Sequence, residues 1–335
     1  MEIQWNHIIG HKRVIEQLQL MQQEDRVPHT MLFSGAAGIG KLLVARSLAA
    51  LLLCHEPQQG HCCGQCPACQ AMANDIHPDF FYVEPENSGK TSRIIKIEQI
   101  RAMQADIARV PVLSKRQVVI INDAEKLNEA AANSLLKTIE EPSGQTVFIL
   151  ITSAPMALLD TVRSRCMRVE FGILQPQEIE AILQKKQAET DLIPQLAAYS
   201  DGSAAKALEL QDEKMVSLQQ DAMELIHNIE AYDVQKLLQK AKDMASLDKE
   251  QLMLWLGFLA MLYRDLLILH SGSDLPLYNQ DKRRELVAML EEYFLPKVFK
   301  LLHLVRSYQK RLNSNVSQQL MLEGLLIRMK DIVEE

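Results

Sequence analysis

The most informative run of the chain reads Gly35-Ala36-Ala37-Gly38-Ile39-Gly40-Lys41-Leu42. It matches the phosphate-loop pattern G-x4-G-K-[ST] at every position except the last. The apolar residues 31–33 before it predict a short buried strand, and residues 42–48 after it predict a helix. In this strand–loop–helix order, backbone N–H groups and the positive end of a helix dipole hold phosphate oxygens. The run therefore predicts a nucleotide-phosphate loop.

Four residues of this loop are the candidate nucleotide ligands, namely Gly35, Gly38, Gly40 and Lys41. The glycines let N–H groups converge on phosphate, and the lysine reaches the outer phosphates. The last position normally offers a hydroxyl to Mg2+, and Leu42 has none. We therefore expect a vestigial site, with ATP or ADP left open and Mg2+ not expected. A glycine-rich turn without a ligand and a fully working ATPase loop are the two alternatives.

The composition describes a helix-rich globular protein. The 335 residues suffice for two or three domains, and 47% are apolar, 24% charged and 5% aromatic. The net charge of −7 argues against a broad DNA-binding face. No apolar run approaches the roughly 20 residues of a membrane helix, and the first residues lack the basic and apolar regions of a secretory signal. We expect a cytoplasmic protein without membrane contact.

A cysteine cluster follows the helix after the phosphate loop. It reads Cys54-x8-Cys63-x2-Cys66-x2-Cys69 and forms an insertion over residues 54–69. Two C-x2-C steps that share one cysteine let three thiolates converge on an ion, and the x8 loop returns the fourth. Four thiolates form the closed shell of structural zinc. His61 or Cys62 could replace Cys63 as a ligand, and a reduced loop without metal is the other alternative.

Polar residues follow a second buried strand. Residues 118–121 form a continuous apolar run, consistent with a central parallel strand. Asn122 and Asp123 come next, where a working phosphate-loop ATPase places an acid that helps hold Mg2+ and an acid that polarises the attacking water. Asn122 is neutral and Asp123 is one methylene shorter than the usual glutamate, so both departures weaken metal-dependent hydrolysis. Alternatively, the two residues only end a strand and cap a helix.

The pattern along the chain changes once. Strands and helices alternate over residues 1–171, which predicts a parallel α/β domain, with the polar run 84–93 as a loop. From residue 172 onward the pattern is helical only. Residues 172–211 are predicted as a small helical domain, and residues 212–335 as a larger helical domain that serves packing or oligomerisation.

These features together resemble the AAA+ clamp-loader family, and within it the bacterial DNA polymerase III subunits. The resemblance rests on the phosphate loop, the cysteine spacing and three further motifs, His77-Pro78-Asp79, Asn133-Ser134-Leu135-Leu136-Lys137-Thr138-Ile139-Glu140-Glu141-Pro142 and Ser164-Arg165-Cys166. It covers residues 1–171 strongly, 172–211 moderately, and the remainder by size and helicity only. It implies an α/β AAA+ P-loop parallel-sheet domain, then a small helical lid domain and an all-helical C-terminal collar domain.

The resemblance also bears on activity. The chain departs from the ATP-hydrolysing tau/gamma pattern at Leu42, Asn122 and Asp123, and again at Ala205, which aligns with an arginine that senses the γ-phosphate. This implies a non-hydrolysing subunit of the loader. An active ATPase of the tau/gamma type, with Asp123 and Glu125 replacing the missing acids, is the alternative. A zinc-containing nucleic-acid-binding module acting alone is a third hypothesis, disfavoured by the acidic balance and sparse aromatics.

The resemblance implies a specific role for Arg165. In such loaders five subunits form an open ring, and each ATP site lies between neighbours. One subunit binds nucleotide, and the next supplies the arginine of its Ser-Arg-Cys motif, so Arg165 is expected to act in trans on a γ-phosphate held by tau/gamma. The implied partners are the tau/gamma and delta subunits, the sliding clamp, and primed DNA within the complex. The alternative for Arg165 is a structural or surface arginine.

Overall fold

The computed structural model describes residues 4–88, 92–141, 144–186, 193–210, 213–273, 275–280, 282–312 and 317–335. It contains two compact units. The first comprises Met1–Ile182 and Asp201–Lys206, and the second comprises Leu183–Ser200 and Ala207–Glu335. The division into domains 1–171, 172–211 and 212–335 stays a prediction. Pro142 and residues 89–91 of the run 84–93 lie outside the described residues.

The first unit is built on a parallel sheet. The strands are β1 Thr30–Ser34, β2 Phe80–Val83, β3 Glu86–Ser88, β4 Ser92–Ile94, β5 Gln117–Ile121, β6 Thr146–Thr152 and β7 Met167–Glu170. Five of them form one parallel sheet in the order β2-β5-β6-β1-β7, whereas β3 and β4 pair as a separate antiparallel ribbon. The ribbon corrects the sequence prediction of a loop over residues 84–93.

Fifteen α-helices accompany these strands. They are α1 Lys12–Gln23, α2 Lys41–Leu53, α3 Pro67–Ala73, α4 Ile97–Ile107, α5 Glu129–Glu140, α6 Asp160–Arg163, α7 Pro176–Lys185, α8 Ile193–Tyr199, α9 Ala204–Glu209, α10 Glu213–Asn228, α11 Val234–Met244, α12 Lys249–Ser271, α13 Arg283–Ala288, α14 Leu295–Arg311 and α15 Gln318–Glu334. Short 3-10 turns occur at Trp5–His7, Ala124–Lys126, Pro155–Ala157 and Met289–Glu291. These counts refer to the described part of the chain.

The sheet of the first unit is covered on both faces. Alternate residues of β5 enter different cores: Val118 and Ile120 pack with α1 and α2, whereas Val119 and Ile121 pack with α4 and α5. Every residue of β1, β5 and β6 is buried. This explains why the strands are apolar runs without alternation, as in doubly covered parallel sheets. The predicted α/β parallel-sheet domain followed by a helical C-terminal region is confirmed.

The strand order brings several loops to one edge of the sheet. β1 pairs with β6 so that Ser34 lies opposite Thr152, and Ile121 at the end of β5 lies opposite Leu150 of β6. The residues that follow β1, β5 and β6 therefore meet at the carboxyl edge. This is the edge at which open parallel sheets bind ligands.

The second unit is helical. One of its helices corrects the prediction that no apolar run approaches the length of a membrane helix. Among the described residues, Gln251–Ser271 is long and apolar enough to cross a membrane by length and composition, with a mean hydropathy of 1.8. The sequence analysis missed it because Arg264 and Asp265 interrupt the apolar run. The side chain of Asp265 is fully buried and accepts hydrogen bonds from the N–H groups of Tyr278 and Asn279. A mostly buried core helix satisfies the same criterion, so the finding is weak evidence for a membrane span.

Candidate functional site

The phosphate loop connects β1 to α2 as the sequence predicts. Gly38 and Gly40 adopt φ angles of 73° and 101°, a region that favours glycine. Helix α2 then starts at Lys41, so its first N–H groups face the loop. The side chain of Leu42 packs against the core cluster. The position that would offer a metal-binding hydroxyl therefore contributes to packing.

Lys41 is bound by its own loop. Its ammonium group donates hydrogen bonds to the carbonyl oxygens of Gly35 at 2.8 Å and Ala36 at 2.6 Å, and only 6% of the residue is exposed. Burial lowers the pKa of Lys41, although the carboxylates of Glu125 and Asp123 act in the opposite direction. The ammonium group that would bind phosphate thus donates its hydrogen bonds to carbonyl oxygens of the loop.

The loop also packs against the segment Asp201–Lys206. The carbonyl oxygen of Gly38 accepts a hydrogen bond from the Ala205 N–H at 3.1 Å. A Cβ atom on Gly38 would lie 2.3 Å from Ser203 Oγ and 2.7 Å from Ala205 Cβ, so only glycine fits. Ala205, where the resemblance expects an arginine, therefore packs directly on the loop. Lys206 forms an ion pair with Asp201.

The polar residues after β5 and β6 meet at this edge. Asp123 follows the strand in a left-handed conformation and makes no side-chain cap bond to the 3-10 turn Ala124–Lys126. Burial raises its pKa, and the nearby Glu125 carboxylate raises it further. Glu125 Oε1 accepts hydrogen bonds from Ser153 Oγ at 2.6 Å and Ser153 N at 3.2 Å. Burial would raise the pKa of Glu125, but hydrogen bonds, that of the Ser153 hydroxyl foremost, make the net shift downward.

The four predicted cysteines form one cluster. The Sγ atoms of Cys54, Cys63, Cys66 and Cys69 all lie within 4.8 Å of one another. Two of the separations are 4.0 Å, from Cys54 to Cys66, and 3.9 Å, from Cys63 to Cys69. A tetrahedral zinc ion with Zn–S bonds of 2.3 Å requires S–S separations of about 3.8 Å. Four cysteines this close could hold a metal ion such as zinc.

Backbone N–H groups support the cluster. Cys63, Cys66 and Cys69 donate from their backbone nitrogens to Sγ of the preceding cysteine in the set, at 3.3 to 3.4 Å. Burial raises the pKa of the Cys54 thiol to about 11, whereas hydrogen bonding from the backbone of Gln65 lowers the pKa of Cys63 to about 6. Metal binding requires the deprotonated thiols, and these N–H groups stabilise them. His61 and Cys62 lie outside the set of converging ligand atoms.

The predicted arginine lies just after α6, a single helical turn. The side chains of Ser164 and Arg165 both donate to the carbonyl oxygen of Thr161, at 3.2 and 2.9 Å. Cys166 is buried and donates to the carbonyl of Val162 at 3.2 Å. All three side chains of the Ser-Arg-Cys motif thus satisfy the open carbonyls of a short helix, as C-terminal helix residues do. The Arg165 side chain remains 39% exposed.

The sequence predicted no individual role for two residues in this region. Glu140, at the end of α5, forms an ion pair with Nε of Arg165, although the residues are 25 positions apart. Ser153 binds Glu125, as described above. Motif spacing gives no sign of either pair, because both depend on elements that only the folded sheet brings together. Arg163 does not share these partners of Arg165: it binds Asp160 and the carbonyl oxygen of Pro155.

A phosphate loop that follows the first strand of a five-stranded parallel sheet, with helices on both faces, defines an α/β P-loop protein. Residues 10–175 match the family model described as "DNA polymerase III, delta subunit", and residues 219–331 match the model "DNA polymerase III, delta subunit, C terminal". The chain belongs to the family of DNA polymerase III subunit delta' proteins. This confirms the predicted resemblance to the bacterial DNA polymerase III subunits.

Two relatives carry this assignment, and a third matches part of the chain. The chain is 31% identical to DNA polymerase III subunit delta' of Bacillus subtilis (strain 168), with 99% of this chain and 100% of the relative covered. It is also 31% identical to subunit delta' of Escherichia coli (strain K12), with 95% and 94% covered. Subunit delta' of Pseudomonas aeruginosa is 44% identical over 140 residues, which is 42% of each chain.

Proposed function

We propose that this chain is a non-hydrolysing subunit of the DNA polymerase III clamp loader. It assembles with the tau/gamma and delta subunits into the ring that loads the sliding clamp onto primed DNA. Within that ring, Arg165 completes the ATP site of the adjoining tau/gamma subunit and stabilises charge on the γ-phosphate. Arginine fingers raise turnover by roughly 10³- to 10⁵-fold where they have been measured.

The observation that carries this proposal is the contrast between two cations. Lys41 is 6% exposed and its ammonium is bound to loop carbonyls, whereas the Arg165 side chain is 39% exposed at the end of a single-turn helix. A cation that serves a neighbouring protomer must be accessible from outside its own chain. Arg165 meets this requirement, and Lys41 does not.

The chain's own nucleotide site supports the absence of hydrolysis. Leu42 packs against the core, Asn122 is neutral, and Ala205 packs on the loop at Gly38. These positions would otherwise supply a metal-binding hydroxyl, a metal-binding carboxylate and a γ-phosphate sensor. Since all three act in one metal-dependent step, we propose that Mg2+-dependent turnover is lost, while Gly35, Gly38, Gly40 and Lys41 form a vestigial loop.

The cysteine cluster is proposed as a structural zinc site. Cys54, Cys63, Cys66 and Cys69 fit a tetrahedral ion, as their S–S separations indicate. Four protein ligands leave no open position for substrate or water, so the metal would cross-link the end of α2 to α3. The chain's net charge of −7 opposes binding to the DNA backbone by the chain alone, so DNA contact is proposed only inside the assembly, which we place in the cytoplasm.

The proposal is tested by reconstituting the loader with tau/gamma, delta and either the wild-type chain or Arg165→Ala. We expect the variant to assemble normally while DNA-stimulated ATP turnover falls, because only the neighbouring site loses its arginine. Size-exclusion chromatography measures assembly, and phosphate release measures turnover. Unchanged turnover with intact assembly would remove Arg165 from the mechanism.

One observation favours the alternative of a slow ATPase. Glu125 Oε2 is buried, and no described residue bonds to it, which would suit a water or ion in an active site. In this alternative, Asp123 and Glu125 replace the missing acids. Purified chain incubated with Mg-ATP decides the matter, since steady turnover that Lys41→Ala abolishes would establish the enzyme.

A further inference from the structure

The guanidinium group of Arg165 is held by its own chain from two directions. Nε donates to Oε1 of Glu140, and Nη1 donates to the carbonyl oxygen of Thr161 at 2.9 Å. Among the described residues, none accepts a hydrogen bond from Nη2, and the side chain is 39% exposed, so the donors of Nη2 are available to another acceptor. Nε and Nη1 of Arg165 are therefore bound to acceptors of the same chain, and Nη2 remains available for another acceptor.

Both partners of Arg165 are anchored in the same core. Ile139, next to Glu140, is 5% exposed, and Val162, next to Thr161, is fully buried. Both belong to the apolar cluster on the α4–α5 face of the sheet, and Cys166 joins them there. The last turn of α5 and the turn of α6 thus form a rigid support. A side chain held by such a support loses little further rotational freedom on binding.

We infer that Glu140 is a positioning residue for Arg165, an inference that rests on the proposed function of that arginine in trans. The carboxylate fixes Nε, so that Nη2 and the remaining proton of Nη1 point away from the chain as a fork. A planar fork of this kind matches two oxygens of a phosphate group. Glu140 thereby orients the arginine before the neighbouring nucleotide site meets it, and it makes no contact with phosphate itself.

This inference predicts a specific kinetic effect in the reconstituted loader. The turnover lost in Arg165→Ala defines the part that depends on this chain. In Glu140→Ala we expect the kcat of the Arg165-dependent turnover to fall about tenfold, because a misaligned guanidinium group loses much of its stabilising effect in the transition state. The ATP concentration at half-maximal turnover is expected to stay unchanged, since nucleotide is bound by the neighbouring subunit.

A matched control and a double variant complete the test. Glu141 is the next residue, is exposed, and makes no side-chain hydrogen bond or ion pair with a described residue, so Glu141→Ala should retain wild-type turnover. Glu140→Ala added to Arg165→Ala should cause no further loss, because Glu140 acts only through that arginine. Thermal unfolding and complex formation of each variant exclude a folding defect.

The outcomes separate the two claims. Unchanged turnover in Arg165→Ala overturns the proposed function. Reduced turnover in Arg165→Ala with wild-type kcat in Glu140→Ala overturns the positioning role alone. A faster Glu140→Ala loader would show that the carboxylate restrains the arginine, and a further loss in the double variant would show that Glu140 acts elsewhere. Either result contradicts the inference.

Discussion

At the scale of single residues, Asp79 shows how a family motif can serve structure. Its carboxylate is 1% exposed and accepts three backbone N–H groups, from Val112 at 2.7 Å, Leu113 at 2.8 Å and Ser114 at 2.7 Å. His77 Nδ1 accepts the N–H of Asp79 at 3.0 Å. His77 and Asp79 of the His-Pro-Asp motif therefore fix the loop that enters β5.

We predict that Asp79→Asn lowers the free energy of unfolding by about 3 kcal/mol, because an amide nitrogen replaces one oxygen and leaves buried N–H groups without a partner. Urea denaturation followed by circular dichroism measures the change. Asp106→Asn is the control, since the only ion pair of the Asp106 side chain with a described residue is an exposed one at 3.8 Å with Arg109. That variant should differ from wild type by less than about 0.5 kcal/mol, and an equal loss in both would contradict the explanation.

At the scale of elements, the cysteine cluster joins two helices. Cys54 is the residue at which α2 ends, and Cys66 precedes α3 and accepts the N–H of Cys69 as its N-cap. The insertion between them contains little regular structure of its own. Its fold therefore depends on what the four sulfur atoms bind.

We predict that the purified chain contains about one zinc per molecule and that chelation lowers its Tm by roughly 5 °C, because metal binding and folding of the insertion are coupled. Cys63→Ser should lose the metal and show the same lower Tm. Cys62→Ser is the matched control and should retain both. Elemental analysis measures the metal content, and calorimetry measures Tm. Metal loss in Cys62→Ser but not in Cys63→Ser would show that Cys62, and not Cys63, is a ligand.

The sequence predicted some elements better than others. The parallel strands were predictable because Val118–Ile121 and residues 147–151 are continuous apolar runs that bury both faces. The ribbon of β3 and β4 was missed, since three-residue polar strands have no hydrophobic alternation. The convergence of the four cysteines was predictable from spacing, which reflects local chain geometry. The pairing of Glu140 with Arg165 was not, because it depends on how α5 packs against α6.

At the scale of the whole molecule, charge limits what the chain does alone. The net charge of −7 opposes the backbone of DNA, and aromatic residues that could stack on bases make up 5% of the chain. We therefore expect any DNA contact to draw on cationic groups of the proposed neighbouring subunits as well. This separates a ring subunit from an independent nucleic-acid-binding module.

We predict that the isolated chain binds primed DNA with a Kd weaker than about 10⁻⁴ M at physiological salt, whereas the reconstituted loader binds it tightly. Fluorescence anisotropy of a labelled primer–template measures both. The Arg165→Ala chain should behave like wild type when isolated. Tight binding by the isolated chain that weakens steeply with salt would instead support the independent module.

Helix α2 has the phosphate loop at one end and Cys54 at the other. Its 13 residues span about 20 Å. A cobalt(II) ion bound to the four thiolates would absorb visible light, and its spectrum would respond to small changes in the tetrahedron. The cobalt spectrum would therefore report strain that the helix transmits from the phosphate loop. This strain could be followed during assembly without attaching a dye.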